Sequence, residues 1–133
     1  GILTCLFIEI IIGTEIRGGL DMSRKENPLI EGIILLKMLG PFKYIHTILG
    51  FSLLGLTIYL RKIINDSNYK SSSFMLISVN AILILIFTQI VLGESLVFFE
   101  VKPLMQLFHM WFSSLLIGLS VCTLTFWKIS QKI

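Results

Sequence analysis

His46 and His109 are the only histidines in the chain, and both fall inside long apolar runs. Each follows a proline, Pro41 or Pro103, by about five residues, which puts it roughly 7 Å inside the helix at 1.5 Å per residue. An ionisable side chain inside such a run is costly unless it is paired or used. The surroundings of the two match. Gly50 and Ser113 stand four residues on, one turn deeper on the same helix face, and Thr57 and Ser120 stand eleven residues on. Small residues at matching places leave a slot for a flat object between two facing rings.

Two neutral imidazoles across such a slot suit axial ligation of a haem iron. Zinc needs three or four ligands, and no further His, suitably placed Cys or carboxylate pair stands at that depth. The plainer alternative is that each His hydrogen-bonds a neighbouring helix, as polar residues in membrane bundles do. A haem also brings two propionates that seek the polar interface and a cation. Arg17, Lys43 and Lys102, at the outer ends of their apolar runs, can meet them, or can simply snorkel to the interface. Glu9 is a carboxyl in the middle of the first apolar run, expensive there unless protonated or paired. It can relay a proton or bond a cofactor edge; as a structural group it is expected to bond Gln89 or a serine of a neighbouring helix.

The elements that position these residues follow from composition. Of 133 residues, 55% are hydrophobic and 14% charged, and the mean hydropathy is +0.90. A soluble domain is about a quarter charged, so the pattern excludes a disordered chain, a disulfide scaffold and a soluble nucleic-acid binder. Four runs approach the roughly 20 helical residues that a bilayer needs: Ile2 to Gly18, Phe42 to Leu60, Phe74 to Phe98 and Leu104 to Trp127. The first begins at Gly1 with no initiating Met and no cationic flank. It is therefore not read as a secretory signal, and the chain is expected to be a piece of a longer polypeptide or to lack residues at its start.

The net charge of +3 lies at the ends of the runs and forms no basic face. The loop after the second run and the C-terminus hold Arg61, Lys62, Lys70, Lys128 and Lys132 against Asp66, whereas cations and acids balance on the other side. The positive-inside rule then puts the C-terminus in the cytoplasm or an organelle's equivalent, with the long loop, 19–41, outside. Within that loop, 28–39 is too short to span and reads as a surface helix starting at Pro28. It serves as a lid over the outer pocket or as a simple anchor. Cys5 and Cys122 both fall towards the cytoplasmic ends and read as small packing residues rather than a disulfide.

An internal repeat ties the runs together. At an offset of 80, Phe7-Ile8-Glu9-Ile10-Ile11-Ile12-Gly13 reads against Phe87-Thr88-Gln89-Ile90-Val91-Leu92-Gly93. At an offset of 63, His46 falls on His109, Gly55 on Gly118, Leu56 on Leu119 and Thr57 on Ser120. The expected fold is an all-α integral membrane protein with a single domain over 1–133. Its four transmembrane helices form a bundle of two repeated hairpins, about 1–63 and 74–129, related by a pseudo-twofold along the membrane normal.

A helix ending Gly13-Thr14-Glu15-Ile16-Arg17, an outer loop, a helix with an early His, then Gln89-Ile90-Val91-Leu92-Gly93 and a second early His 63 residues after the first resemble one half of the haem A synthase family. Members of that family have two similar four-helix halves, each with a histidine pair near the outer face, and oxidise a methyl group of haem O to the formyl group of haem A. In the catalytic N-terminal half a glutamate stands three residues before the first His, and the outer loop often carries a cysteine pair. Here those positions hold Lys43 before His46 and Gln106 before His109, and the outer loop has no Cys. The resemblance is thus to the C-terminal half. It implies a haem b with His46 and His109 as axial ligands and Arg17, Gly50 and Ser113 around it, passing electrons to a catalytic site elsewhere.

The partners implied are the lipid bilayer and either the N-terminal catalytic half or another membrane oxidoreductase subunit. A homo-oligomer is open, and no nucleic acid is expected. The place implied is the bacterial inner membrane or the mitochondrial inner membrane, with the C-terminus on the cytoplasmic or matrix side. Two other functions are open from the residues alone. One is a b-type electron-transfer cytochrome subunit, and the other is a cofactor-free membrane assembly subunit.

Overall fold

The computed structural model describes residues 1–26, 28–29, 34, 37, 40–66, 73–98 and 102–130. They form four long helices: α1 (Ile2–Glu26), α2 (Phe42–Asp66), α3 (Ser73–Phe98) and α4 (Pro103–Ser130). The turn into α2 is set by Gly40, whose φ of 62° suits a residue without Cβ. Pro41 follows, and its carbonyl accepts the amides of Tyr44 (3.0 Å) and Ile45 (3.1 Å), so the helix proper opens at Phe42. Pro103 is the first residue of α4, where its missing N–H costs nothing, and the Lys102 carbonyl accepts from Gln106 at 3.1 Å.

Each helix packs on the next, and α4 returns to α1. The registers run up and down. Gly13 lies against His46 while Glu9 reaches Gly50; Arg61 near the end of α2 hydrogen-bonds Asn80 near the start of α3 at 2.6 Å; and Phe74 stacks on Phe126 with centroids 4.5 Å apart. The result is a four-helix bundle in which α2 and α4 face each other across the interior. Leu6, Leu53, Ile82, Ile86 and Leu116 form its buried core.

Three helices, Phe42–Asp66, Ser73–Val97 and Pro103–Ser130, are long and apolar enough to cross a membrane. They turn Ile48, Ile58, Ile84, Phe87 and Leu115 outward, as contact with lipid requires. Several of their hydroxyl groups bond back into their own helix: Thr57 to the Leu53 carbonyl and Thr88 to the Ile84 carbonyl, both at 2.8 Å, and Thr123 to the Leu119 carbonyl at 2.7 Å. A hydroxyl in lipid thus finds a partner without another chain.

The first helix differs from expectation in two ways. It does not end at Gly18 but continues through the first part of the expected loop to Glu26, supported by the Arg17–Asp21 pair at 3.8 Å and by Arg24 and Lys25 in its last turn. Its most apolar eighteen residues also carry Glu9, Glu15 and Arg17, which is why it falls short of the three other helices as a span. The surface helix expected over 28–39 lies for the most part outside the described residues.

Candidate functional site

The two histidines meet. Their ring centroids are 6.3 Å apart and their planes cross at 68°. They project from α2 and α4 into a cavity of about 350 Å³ among all four helices. That size lies within the range of sites for small organic ligands and cofactors. The walls are mostly apolar, and the polar groups converge at the histidines and at the α1 end that carries Arg17.

Each ring rests against a glycine of the neighbouring helix. A Cβ at Gly13 would lie 3.2 Å from Cε1 of His46, and one at Gly93 would lie 3.6 Å from Cε1 of His109. The polar partners differ between the two sides. Glu9 brings Oε1 to 3.2 Å from Nδ1 of His46, without the alignment of a hydrogen bond. Gln89 instead donates its amide to the main-chain carbonyl of His109 at 2.7 Å. The Nδ1 atoms of both histidines, Oε2 of Glu9 and Oε1 of Gln89 are buried and without hydrogen-bond partners. Such orphaned atoms around a cavity are unusual, because buried polar groups are nearly always satisfied.

No family model, curated protein or solved structure matches the chain. The chemistry therefore has to be argued from the cavity. Among the described residues no group of three or more His, Cys, Asp or Glu side chains is gathered for a metal ion. A zinc site of three protein ligands is not assembled, and what the arrangement offers is two imidazoles.

The other residues singled out in the sequence fall as follows. Gly50 and Ser113 line the cavity, Gly50 with the Glu9 carboxyl 3.3 Å from its would-be Cβ, and Ser113 with its hydroxyl on the His109 carbonyl at 2.9 Å. Arg17 lines it too, its guanidinium lying against the Met110 sulfur. Lys43 lines it with its ammonium 4.7 Å from the Tyr44 ring centre, whereas Lys102 is exposed and away from the lining. Thr57 and Ser120 are buried beyond the core leucines, and the Ser120 hydroxyl lacks a partner. Cys5 and Cys122 are free thiols.

The neighbour of Glu9 is His46, not Gln89 or a serine. Gly13 and Gly93 as seats for the rings, and Gln106 and Met110 as lining, were not anticipated. The glycines had a signal. They close the two copies of the repeat, four residues after Glu9 and Gln89 and therefore on the same helix face.

Proposed function

We propose that this chain holds a haem b between His46 and His109 and acts as the haem b-binding half of a membrane haem A synthase, passing electrons to the site where haem O is oxidised to haem A. The observation that carries the reading is the ring separation. Two imidazoles bound through Nε2 to one metal at about 2.0 Å, with each ring centre about 1.1 Å behind its nitrogen, have centroids a little over about 6 Å apart. The rings here stand at 6.3 Å.

The residues present fit such a group. His46 and His109 supply the two axial nitrogens, and Gly13, Gly50 and Gly93 keep the neighbouring helices low where a flat macrocycle needs room. Arg17 and Lys43 offer cations for two propionates at the outer end. Leu6, Leu53, Ile86 and Leu116 close the inner side against water. When bound, a haem with both axial positions filled by histidine supplies a one-electron couple rather than an open iron for substrate. Lys43 and Gln106 stand where the resembled catalytic half carries a glutamate three residues before its histidine, so the oxidation itself is assigned to a separate N-terminal half.

The duplicated-hairpin reading is supported by the lining. Every α2 position on the cavity has a counterpart 63 residues on in α4, also on the cavity, as with Gly50 and Ser113 or Leu53 and Leu116. Every α1 position except Leu20 has one 80 residues on in α3, and the counterpart of Leu20 lies outside the described residues. The reading takes α1 as a fourth span, Glu9 sheltered by His46, in a bacterial or mitochondrial inner membrane with the C-terminus on the cytoplasmic or matrix side.

Two measurements test it. Protein purified in detergent from haem-replete cells should show a Soret band and a low-spin reduced spectrum that His46→Ala and His109→Ala each abolish while helicity by circular dichroism persists. A folded protein without a Soret band would end the haem reading. Supplying the chain together with an N-terminal half to cells lacking their own synthase should restore haem A; haem bound without restoration would favour an electron-transfer cytochrome instead.

A further inference from the structure

Beside the two rings the sides of the cavity carry different groups. Where α3 carries Gln89, α1 carries Glu9. The amide of Gln89 is committed to the His109 main-chain carbonyl at 2.7 Å, and Nδ1 of His109 is buried with no partner. The Glu9 carboxyl instead stands 3.2 Å from Nδ1 of His46, with only 14% of the side chain exposed. The absence of a side chain at Gly50 lets it stand there, since a Cβ at that position would come within 3.3 Å of Oε1.

We infer that Glu9 is a positioning residue that makes the two histidines unequal, its carboxylate holding the proton on Nδ1 of His46 and biasing a bound haem towards the oxidised state. The inference rests on the bis-histidine reading above. With Glu9 ionised, a carboxylate oxygen 3.2 Å from Nδ1 is best met by an N–H on that nitrogen, which leaves Nε2 as the metal donor. A carboxylate behind a ligating imidazole orients the ring and raises its basicity. Its negative charge, screened little in a cavity walled by apolar side chains, favours the state of iron with the greater positive charge. His109 has no acid in the equivalent place, so the effect comes from one side only. A purely structural tie between α1 and α2 would change stability and leave the electrochemistry alone.

Redox titration of the purified haem-loaded protein, followed in the visible region, separates these roles. Glu9→Gln keeps the shape and removes the charge. It should raise the reduced-to-oxidised ratio at fixed potential about tenfold, which is about 59 mV for a one-electron couple. The g-values of the low-spin ferric signal should shift while both histidines stay bound. Gly50→Ala, which displaces the same carboxyl without deleting it, should move the potential in the same direction by less. If Glu9→Gln does not fold, Gly50→Ala and Glu9→Asp answer the same question. A normal Soret band with wild-type potential and g-values in these variants overturns the role of Glu9 and leaves the haem reading standing. A wild-type protein without a Soret band overturns both.

Discussion

Alanine at Gly13 and alanine at Gly93 are the same chemical change at repeat-related positions, and the structure assigns them different outcomes. The added methyl carbon would come 3.2 Å from Cε1 of His46 in one case and 3.6 Å from Cε1 of His109 in the other. Carbon atoms pack best at about 3.5–4.0 Å, so the methyl at 93 fits and the methyl at 13 overlaps by a few tenths of an ångström. A free ring can tilt away at the cost of an off-rotamer torsion, about 0.5–1.5 kcal/mol. A ring fixed by a metal bond resists that tilt, and the cost moves towards the about 1–3 kcal/mol of an overpacked core. Helix propensity contributes little, because in lipid each helix is already hydrogen-bonded before the bundle packs. Gly13→Ala should therefore weaken haem binding by about 5- to 150-fold, the factor that 1–3 kcal/mol represents, and Gly93→Ala should bind as wild type. Haem titration of the apoprotein, read at the Soret maximum, measures both. Equal affinities in the two variants, or a greater loss at 93, would refute the reasoning from ring contact.

Two further changes probe what holds the helices around the site. Gln89→Leu removes the interhelical bond to the His109 carbonyl and should cost about 0.6 kcal/mol, the average for such bonds inside membranes, in detergent unfolding; a loss well above about 2 kcal/mol would show that Gln89 does more than tie α3 to α4. Leu53→Ala, at a position 2% exposed, loses no transfer energy in lipid but opens a void of about 75 Å³, worth about 2 kcal/mol, and an unchanged unfolding midpoint would mean that the core collapses to fill it.

The pairing of His46 with His109 was legible because it depends on two short-range quantities, the helical rise from a proline and the repeat offset. Gly50 and Ser113 were legible for the same reason, lying one turn from the histidines on their own helices. The partnership of Glu9 with His46 was not. It depends on how α1 slides along α2, and nothing in either segment alone fixes that register. The length of α1 was not legible because its apolar run ends at Gly18, whereas the i,i+4 pair Arg17–Asp21 and the basic last turn carry the helix on to Glu26. The first helix, proposed as a fourth span, is where hydropathy says least. Glu9, Glu15 and Arg17 interrupt the apolar run of α1, yet Glu9 and Arg17 line the cavity, and Glu9 is largely buried there.

On the duplicated-hairpin reading, the positions that set shape are kept and the charged ones diverge. His46 matches His109, Gly13 matches Gly93 and Leu53 matches Leu116, all residues whose size or reach sets the shape of the slot. The polar positions have parted: Glu9 against Gln89, Arg17 against Val97 and Lys43 against Gln106, with Glu94 on the second copy where the first has Thr14. Both cations in the lining, Arg17 and Lys43, thus lie on α1 and α2, and Glu94 lies on α3. A pocket symmetric in shape would accept a flat ligand in either of two orientations related by the pseudo-twofold. The field from Arg17 and Lys43, opposed by Glu94, attracts an anionic edge to one side and repels it from the other, in a setting where charges are screened less than in water. On the proposed haem reading, shape would fix the plane of the ligand, and charge would fix which way round it lies.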